Sequence, residues 1–419
     1  MSETRNIVVL GASFSGIYTT QYIMRHILPG LKSKHADAKY HVYIVNPSSD
    51  AYFRIASPRA AASSSRLDPE NIFIDLNKVF QEFAGKEFTF IQAWATGLDT
   101  AAHTVSYKKS DYLEEEKLPY HALIVATGTK TYEPAFSQHS TKAATIDALK
   151  TMSKKVASAK DIVIAGGGPT AVEAAGEIAE QVNGKPGWFS TPTRKANITL
   201  VTGDRQLLPV LRPAIGKQAE ERLKKLGVDV LYQSRVTDTT ANGERTVVTL
   251  AKGDRLEADL YIAAYGVLPN SSFLPDNLLN DAGYLKTNPQ TLRVDDAGSR
   301  VYAIGDVGSY SRNSILDVYD ALPVLAVNLK RDLFSFNPQA PNEPPKGKDR
   351  LYVPNTKETQ LVPIGTSGGV GAIMGYKLPS FFVWLIKGRD FFVGMSIPGL
   401  HKGDKVLKEV PWTAEEAVA

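Results

Sequence analysis

A short turn near the start of the sequence carries small residues at a spacing that can serve chemistry. Gly11, Ser13 and Gly16 form a G-x-S-x-x-G pattern that directly follows the apolar run Asn6–Leu10. Between a strand and a helix, such a turn lets backbone N–H groups and a positive helix N-terminus approach a pyrophosphate. We expect it to hold the diphosphate of a dinucleotide, although a plain strand-to-helix connection would show the same pattern.

The pattern returns in the middle of the chain, in the same setting. Gly166, Gly168 and Ala171 form a G-x-G-x-x-A turn between the strand-like run Asp161–Ala165 and a helical pattern. A protein needs two dinucleotide sites chiefly when it passes hydride between two dinucleotides. The two turns therefore predict a redox enzyme with an internal duplication and two dinucleotide-binding domains.

The residues that usually grip the ribose of a bound dinucleotide are altered in both halves. An Asp or Glu is expected at the end of the second strand, but Asn46 stands there, after the run His41–Val45. Its amide can make one such hydrogen bond; the alternative is a turn residue before Pro47. In the second half, Arg205 could pair with the 2′-phosphate of NADPH. Equally, Asp204 could accept the ribose hydroxyls of NADH, and both interpretations stay open.

Two further segments complete an order of motifs. Thr127 and Gly128 end a small-residue segment between the two predicted domains, and Gly305 and Asp306 end a short apolar run. Together with the glycine turns, they resemble the two-dinucleotide-binding-domain flavoproteins over residues 5–335. The resemblance implies FAD in the first domain, NAD(P)H in the second, and a hydrogen bond between Asp306 and the flavin ribityl chain.

Three charged residues take their roles with this resemblance. Related proteins place an arginine against the flavin pyrophosphate where this chain has Arg59; the alternative is a solvated loop residue. Glu173 corresponds to a carboxylate on the nicotinamide side of the flavin, unless it only favours the N-terminus of its helix. Lys387 would stabilise charge that builds up on a flavin or quinone carbonyl; the alternative is a surface lysine beside an aromatic patch. Glu173 and Lys387 are therefore the predicted catalytic residues.

The C-terminal part narrows the resemblance. Gly368–Gly371 and Leu385–Phe392 are similar to the C-terminus of the ferroptosis-suppressor-like quinone reductases, also called apoptosis-inducing-factor-like mitochondrion-associated proteins. This implies an NAD(P)H:quinone oxidoreductase with a quinone-like acceptor. Two other functions stay open: a biosynthetic flavoenzyme that acts on a specialised small molecule, and an NAD(P)H-sensing flavoprotein of low turnover.

Composition excludes several kinds of chemistry. The 419 residues include no cysteine, so a redox-active cysteine pair, a structural disulfide and a thiolate metal site are all excluded. We expect no catalytic metal, because no His or carboxylate cluster has metal-ligand spacing. The formal charge of +4 is small and the basic residues are spread along the chain, which argues against a nucleic-acid partner.

The order of predicted elements indicates an α/β protein. We expect two Rossmann-like three-layer domains and a small C-terminal α+β domain. The FAD-binding domain is predicted to be discontinuous, at 1–130 and 283–335, with the NAD(P)H-binding domain at 131–282 between its parts. A Pro-rich linker at 336–350 then leads to an interface or capping domain at 351–419.

An aromatic stripe formed by Phe381, Phe382, Trp384 and Leu385 has several interpretations. We expect first a core or homodimer contact, and otherwise a face for quinone access or membrane contact. The surrounding run Pro379–Ile386 is far shorter than the roughly 20 residues that span a bilayer. We therefore expect a cytoplasmic protein whose only contact with a membrane or lipid droplet would be peripheral.

Overall fold

The first sheet of the protein contains five parallel strands and carries the first glycine turn. In the computed structural model, which describes residues 4–110, 113–185, 187, 193–341 and 343–418, they form one layer. Their spatial order is Val301–Ala303, Ala122–Val125, Thr4–Leu10, Lys39–Asn46 and Phe88–Gln92. The strands at the centre of this layer are largely buried, as expected for a parallel sheet that is covered on both faces.

The helix behind this turn continues past a proline. It runs as an α-helix over Phe14–Tyr22, a π-helical turn over Ile23–Ile27 and an α-helix over Leu28–Lys34. A proline ring normally clashes with the carbonyl group four residues earlier and stops a helix. The π-helical turn widens the backbone just before Pro29, so the helix continues past it.

The second sheet repeats this arrangement around the second glycine turn. Its four parallel strands follow the order Val228–Leu231, Asn197–Val201, Asp161–Ala165 and Leu260–Ala263. The helices of this half are Lys142–Ser158, Pro169–Asn183 and Pro213–Lys225. Together the two sheets confirm the predicted α/β fold with two dinucleotide-binding domains; the domain boundaries stay a prediction.

Smaller elements complete both halves. Two antiparallel sheets of three strands contain Trp94–Asp99, Thr104–Lys108 and Glu116–Pro119, and Val236–Asn242, Arg245–Leu250 and Arg255–Ala258. Two-stranded pairs join Asp50–Tyr52 to Phe73–Asp75 and Thr129–Lys130 to Leu268–Pro269. Short helices and 3₁₀ turns lie at Arg54–Ala56, Ser57–Ala62, Pro69–Ile72, Leu76–Val79, Gln81–Phe83, Pro134–Phe136, Asp276–Leu278, Asp295–Ala297 and Asp404–Val406.

The Pro-rich segment at 336–350 is held at both ends although its described residues form no helix or strand. It follows the long helix Ile315–Ser335, which continues through Pro323. At one end, the ring of Phe336 lies under the guanidinium groups of Arg5 and Arg300, at 4.8 and 4.7 Å. At the other end, Arg293 donates to Asp349 over 2.6 Å. The segment is therefore an anchored connection.

The C-terminal part is an α+β unit that contacts both halves. Its antiparallel sheet contains Gln360–Pro363, Gly369–Ile373 and Tyr376–Lys377, followed by the helical segments Ser380–Val383, Trp384–Gly388 and Val393–Lys402. Tyr18 of the first half donates to Asp404 over 2.7 Å, and Thr366 donates to Glu180 of the second half over 2.6 Å. Among the described residues, no helix combines the length and apolar character needed to cross a membrane.

Replacing Gly16 by alanine should destabilise the fold and weaken flavin retention. A Cβ atom at Gly16 would lie 1.8 Å from the carbonyl oxygen of Gly11, and backbone at this contact has little room to move. We expect a loss of about 3 kcal/mol in the free energy of unfolding, at the upper end of overpacking costs. Denaturant unfolding and the flavin absorbance per protein measure both effects.

The matched control is Gly97→Ala. At this strand position the new Cβ would meet Ser106 at an ordinary 3.5 Å. Equal stability of the Gly16→Ala and Gly97→Ala proteins would contradict the role given to Gly16.

Candidate active site

A cavity of about 540 Å³ lies where the first glycine turn, the domain crossing and the C-terminal part meet. This volume is within the range of small-molecule and cofactor sites. The structure brings most of the predicted first-domain contacts to its wall, namely Gly11, Ser13, Asn46, Thr127, Gly128, Gly305 and Asp306. Both predicted catalytic residues, Glu173 and Lys387, also line it.

The first glycine turn is shaped as a cradle. Gly11 has a left-handed backbone (φ +97°), and a Cβ there would lie 2.5 Å from the carbonyl oxygen of Ala126. Gly16 lies behind the turn and lets the helix approach it. Ser13 precedes the first helical residue without a capping hydrogen bond from its side chain. The N–H groups of the helix N-terminus are therefore open to an anion.

Asn46 stabilises this cradle through two hydrogen bonds. Its Oδ1 accepts a hydrogen bond from the backbone N–H of Ala12 over 2.9 Å, and its Nδ2 donates to the Ser48 carbonyl over 2.8 Å. An aspartate would keep the first contact but would set a carboxylate oxygen against the Ser48 carbonyl. The amide thus fits this turn, and its Oδ1 keeps one lone pair for a ribose hydroxyl. A ribose contact by Asn46 stays a prediction.

The arginine at the cavity is Arg54, and the structure does not bring Arg59 there. Arg59 is buried in an ion pair with Glu177, with N–O distances of 2.8 and 3.2 Å. Arg54 instead lines the cavity and donates to Thr129 over 3.2 Å. Burial raises the pKa of Asp306, and the charge of Arg54 opposes this shift. The sequence could not separate the two arginines because their orientation depends on the 3₁₀ turn Arg54–Ala56 and the short helix Ser57–Ala62 in which they lie.

Two polar groups of the cavity wall were missed by sequence reasoning. Gln138 Nε2 and His139 Nε2 are buried and have no hydrogen-bond partner among the described residues. A buried polar group without a partner is costly, so this part of the wall suits a polar ligand. Together with the glycine cradle and the cavity volume, these groups fit FAD. Gln138 and His139 lie outside the dinucleotide-binding motifs, so no sequence pattern indicated that they would line the cavity.

Glu173 and Lys387 form a buried ion pair at the cavity. The Lys387 ammonium donates to the Glu173 carboxylate over 2.5 Å and to the Leu361 carbonyl over 3.1 Å. Burial raises the pKa of Glu173 from 4.5 to about 7, against the lowering effect of Lys387. The fold therefore gains from a protonated Glu173 at low pH, and this gain is lost as the pH rises through about 7. A proton can thus be held here near neutral pH.

The backbone around Lys387 is strained. Lys387 lies in the π-helical turn Trp384–Gly388, and such turns are frequent at functional sites. Phe391 and Phe392 both have left-handed backbones, with φ of 54° and 66°, which is rare for bulky residues. The fully buried Phe391 ring contacts the guanidinium of Arg59 at 4.6 Å and the ammonium of Lys387 at 5.6 Å. These contacts hold the strained conformation in place.

The second glycine turn has the same close-packed form. A Cβ at Gly166 would lie 2.3 Å from the Ala264 carbonyl oxygen and 3.1 Å from the Ala171 methyl group. A Cβ at the next residue, Gly167, would lie 3.6 Å from the Asp204 carboxylate. Asp204 therefore lies over the turn where a dinucleotide ribose is expected. Arg205 is exposed beside it, and Gly168 opens the helix with free space around it.

The aromatic stripe is not core. Phe381, Phe382 and Leu385 are 59%, 48% and 41% exposed, and only Trp384 is partly buried. The core interpretation is therefore wrong, because three of the four side chains are exposed. A contact with a second copy, with a membrane or with an incoming quinone stays a prediction.

Removing the Lys387 charge should raise the pKa of Glu173 further. In the wild-type protein we expect the protonated-carboxyl infrared band of Glu173 to disappear with a midpoint near pH 7. Lys387→Met should move this midpoint upward, because the ammonium lowers the pKa of the carboxyl group. Glu173→Gln identifies the band by removing it.

Lys377→Met is the control, because Lys377 is an exposed lysine of the same C-terminal part. It should leave the midpoint in place. A midpoint near 4.5, or one that Lys387→Met does not move, would contradict the coupling of the two side chains.

Comparison with known proteins agrees with this site. Residues 5–322 match the pyridine nucleotide-disulphide oxidoreductase family. The chain is 41% identical to "Oxidoreductase phnG" of Penicillium herquei over 96% of its length and 97% of that protein. It is 26% identical to ferroptosis suppressor protein 1 of Homo sapiens over 94% and 95% of the two chains.

A solved structure shares the fold over nearly the whole chain. The sulfide:quinone oxidoreductase of the hyperthermophilic bacterium Aquifex aeolicus superposes with a TM-score of 0.67 at 16% identity, covering 95% of this chain and 92% of that one. The family match establishes an oxidoreductase that uses FAD and NAD(P)H. The chain thus belongs to the pyridine nucleotide-disulphide oxidoreductase family.

Proposed function

We propose that this chain oxidises NAD(P)H and passes both electrons to a small quinone-like acceptor. The observation that carries this proposal is the buried Glu173–Lys387 pair on the wall of the cofactor cavity. The sulfide:quinone oxidoreductase that shares this fold, together with the resemblance to the ferroptosis-suppressor-like quinone reductases, supports the choice of acceptor. One NAD(P)H and one proton would convert one quinone to its quinol.

The residues of the chain position the reactants and supply charge. The redox chemistry that a bound FAD would supply is acceptance of hydride from the reduced nicotinamide and delivery of electrons to a second substrate. Gly11 and Gly166 belong to the turns proposed to hold the two diphosphates. Lys387 presents a positive charge to the cavity, which would stabilise a carbonyl oxygen that gains electrons. Glu173, with its pKa near neutrality, can hold a proton for that oxygen.

The absence of cysteine from the 419 residues limits which groups can accept electrons from the cofactor. The family is named for electron transfer to a disulphide, and no such group exists in this chain. Electrons must therefore leave the cofactor directly for a substrate that reaches the cavity.

A second candidate is a flavoenzyme that acts on a specialised small molecule in biosynthesis. It stays a candidate because the chain is more similar to the oxidoreductase phnG, at 41% identity, than to ferroptosis suppressor protein 1, at 26%. The two candidates share the reductive step and differ in the acceptor. The exposed stripe around Phe381 leaves peripheral membrane contact and a homodimer as further predictions.

Anaerobic reduction followed by reoxidation tests the proposal. We expect NADH or NADPH to bleach the flavin, and a short-chain quinone to restore its absorbance. Lys387→Met should slow quinone reoxidation at least roughly tenfold, a loss of about 1.4 kcal/mol in stabilisation. Lys377→Met should react as the wild type does. Failure of both coenzymes to reduce the flavin would overturn hydride transfer, and indifference to quinones would favour the second candidate.

Coenzyme preference tests the second turn. Asp204→Ala should lower kcat/KM for NADH, because its carboxylate lies over the turn and can accept both ribose hydroxyls. Arg205→Ala should lower kcat/KM for NADPH roughly tenfold by removing a partner for the 2′-phosphate. Arg255→Ala, an exposed arginine elsewhere in this half, is the control. Equal losses with both coenzymes in both variants would contradict these assignments.

A further inference from the structure

A second cavity of about 340 Å³ lies where the first domain, the second domain and the C-terminal part meet. It shares no lining residue with the cofactor cavity. Charged side chains and one aromatic ring dominate its wall, including Arg66, Glu180, Lys185, Thr366, Trp384 and Arg389. Its size is near the lower end for small-molecule pockets, which excludes a whole dinucleotide.

Some of the charges at this cavity are already satisfied. Glu180 is held by Thr366, whose N–H and hydroxyl donate to its two carboxylate oxygens over 2.8 and 2.6 Å. Arg59 is committed to Glu177 and to the carbonyl oxygen of Arg389, the latter over 3.0 Å. These groups form a fixed wall and are not free to bind a ligand.

The remaining cations are poorly matched. Arg66 approaches Glu177 and Glu180 only to 3.7 and 3.6 Å, and its Nη1 is buried with no hydrogen-bond partner among the described residues. Lys185 is 4.0 Å from Glu180. The Arg389 guanidinium makes no ion pair within the part of the chain that the structure describes. The cavity therefore carries more positive charge than is balanced by Glu180 in its wall and by Glu177 beside it.

We infer that this cavity binds a small aromatic anion, a molecule with a carboxylate or phosphate group. The charge of the bound ligand would change the electrostatic potential at Glu173. Arg66, Lys185 and Arg389 would hold the anionic group by charge-assisted hydrogen bonds. The partly buried ring of Trp384 would contact the body of the ligand.

The path from this cavity to the active site is a row of carboxylates on one helix. Glu173, Glu177 and Glu180 stand at positions i, i+4 and i+7 of Pro169–Asn183 and share one face. At 1.5 Å per residue, the row is about 10 Å long. Each carboxylate is held from another part of the chain, by Lys387, Arg59 and Thr366 respectively.

Glu173 is electrostatically linked to Glu177, the middle carboxylate of this row. Burial is the main cause of the raised pKa of Glu173, and the charge of Glu177 raises it further while Arg59 lowers it. A ligand anion that forms an ion pair with Arg66 reduces the positive electrostatic potential that Arg66 creates at Glu177. The expected consequence is an upward shift in the pKa of Glu173.

Calorimetric binding to the flavin-loaded protein tests the site. The probes are inorganic phosphate, phenyl phosphate and phthalate, with NAD⁺ present to fill the second glycine turn and with ionic strength fixed by chloride. We expect at least one aromatic probe to bind with a Kd below about 1 mM. Arg389→Ala and Lys185→Ala should each weaken it roughly tenfold, and Arg255→Ala should not. Trp384→Leu should weaken phenyl phosphate more than inorganic phosphate.

Three outcomes would overturn the inference. The first is that no probe binds to the wild-type protein. The second is that binding is unaffected by Arg389→Ala and by Lys185→Ala, both of which change exposed side chains and so leave the fold intact. The third is that a bound probe leaves the midpoint of the Glu173 infrared band unchanged. No turnover enters these measurements, so a failure of the quinone proposal would be distinguishable from a failure of this site.

Discussion

The structure depends on the neutralisation of buried carboxylates on one helix. Glu173, Glu177 and Glu180 of Pro169–Asn183 are at most 3% exposed. Charges buried in this way are costly unless they are paired and hydrogen-bonded. Their partners come from elsewhere: Arg59 from the first domain and Lys387 from the C-terminal part. The three parts of the chain can therefore reach low free energy only when they assemble together.

This electrostatic constraint also shapes the active site. Lys387 contacts Glu173 from a π-helical turn that is followed by two left-handed phenylalanines, a conformation with a real cost. The resulting ion pair lies on the cavity wall beside the glycine cradle. Glu173 and Lys387 therefore join two parts of the chain and also line the cavity. Stability and the proposed chemistry depend on the same two side chains.

The sequence predicted those features that depend on local spacing. The glycine turns follow from small residues at fixed positions after a strand, and both were found as cradles with Gly11 and Gly166 in close backbone contact. For Arg59, local spacing was not enough to predict the position of the side chain. The resemblance placed it at the cofactor, but the structure turns it toward Glu177 and brings Arg54 to the cavity. Only the orientation of a short helix decides between them, and no local pattern encodes it.

Contacts between distant parts of the chain also could not be predicted from the sequence. Glu173 and Lys387 were each singled out, but 214 residues separate them and nothing in their spacing indicates a shared ion pair. The same holds for Gln138 and His139, whose buried nitrogens matter only because of the cavity around them. Asn46 is an intermediate case: its place after the second strand was predicted, but its bond to the Ala12 N–H was not.

A crystal structure of the flavin-bound protein would test the central claim most directly. We expect the flavin diphosphate at the Gly11–Gly16 turn and the edge of the isoalloxazine ring within hydrogen-bonding distance of the Lys387 ammonium, with the Glu173 contact kept. A ring placed away from Lys387, or a diphosphate bound elsewhere, would contradict it.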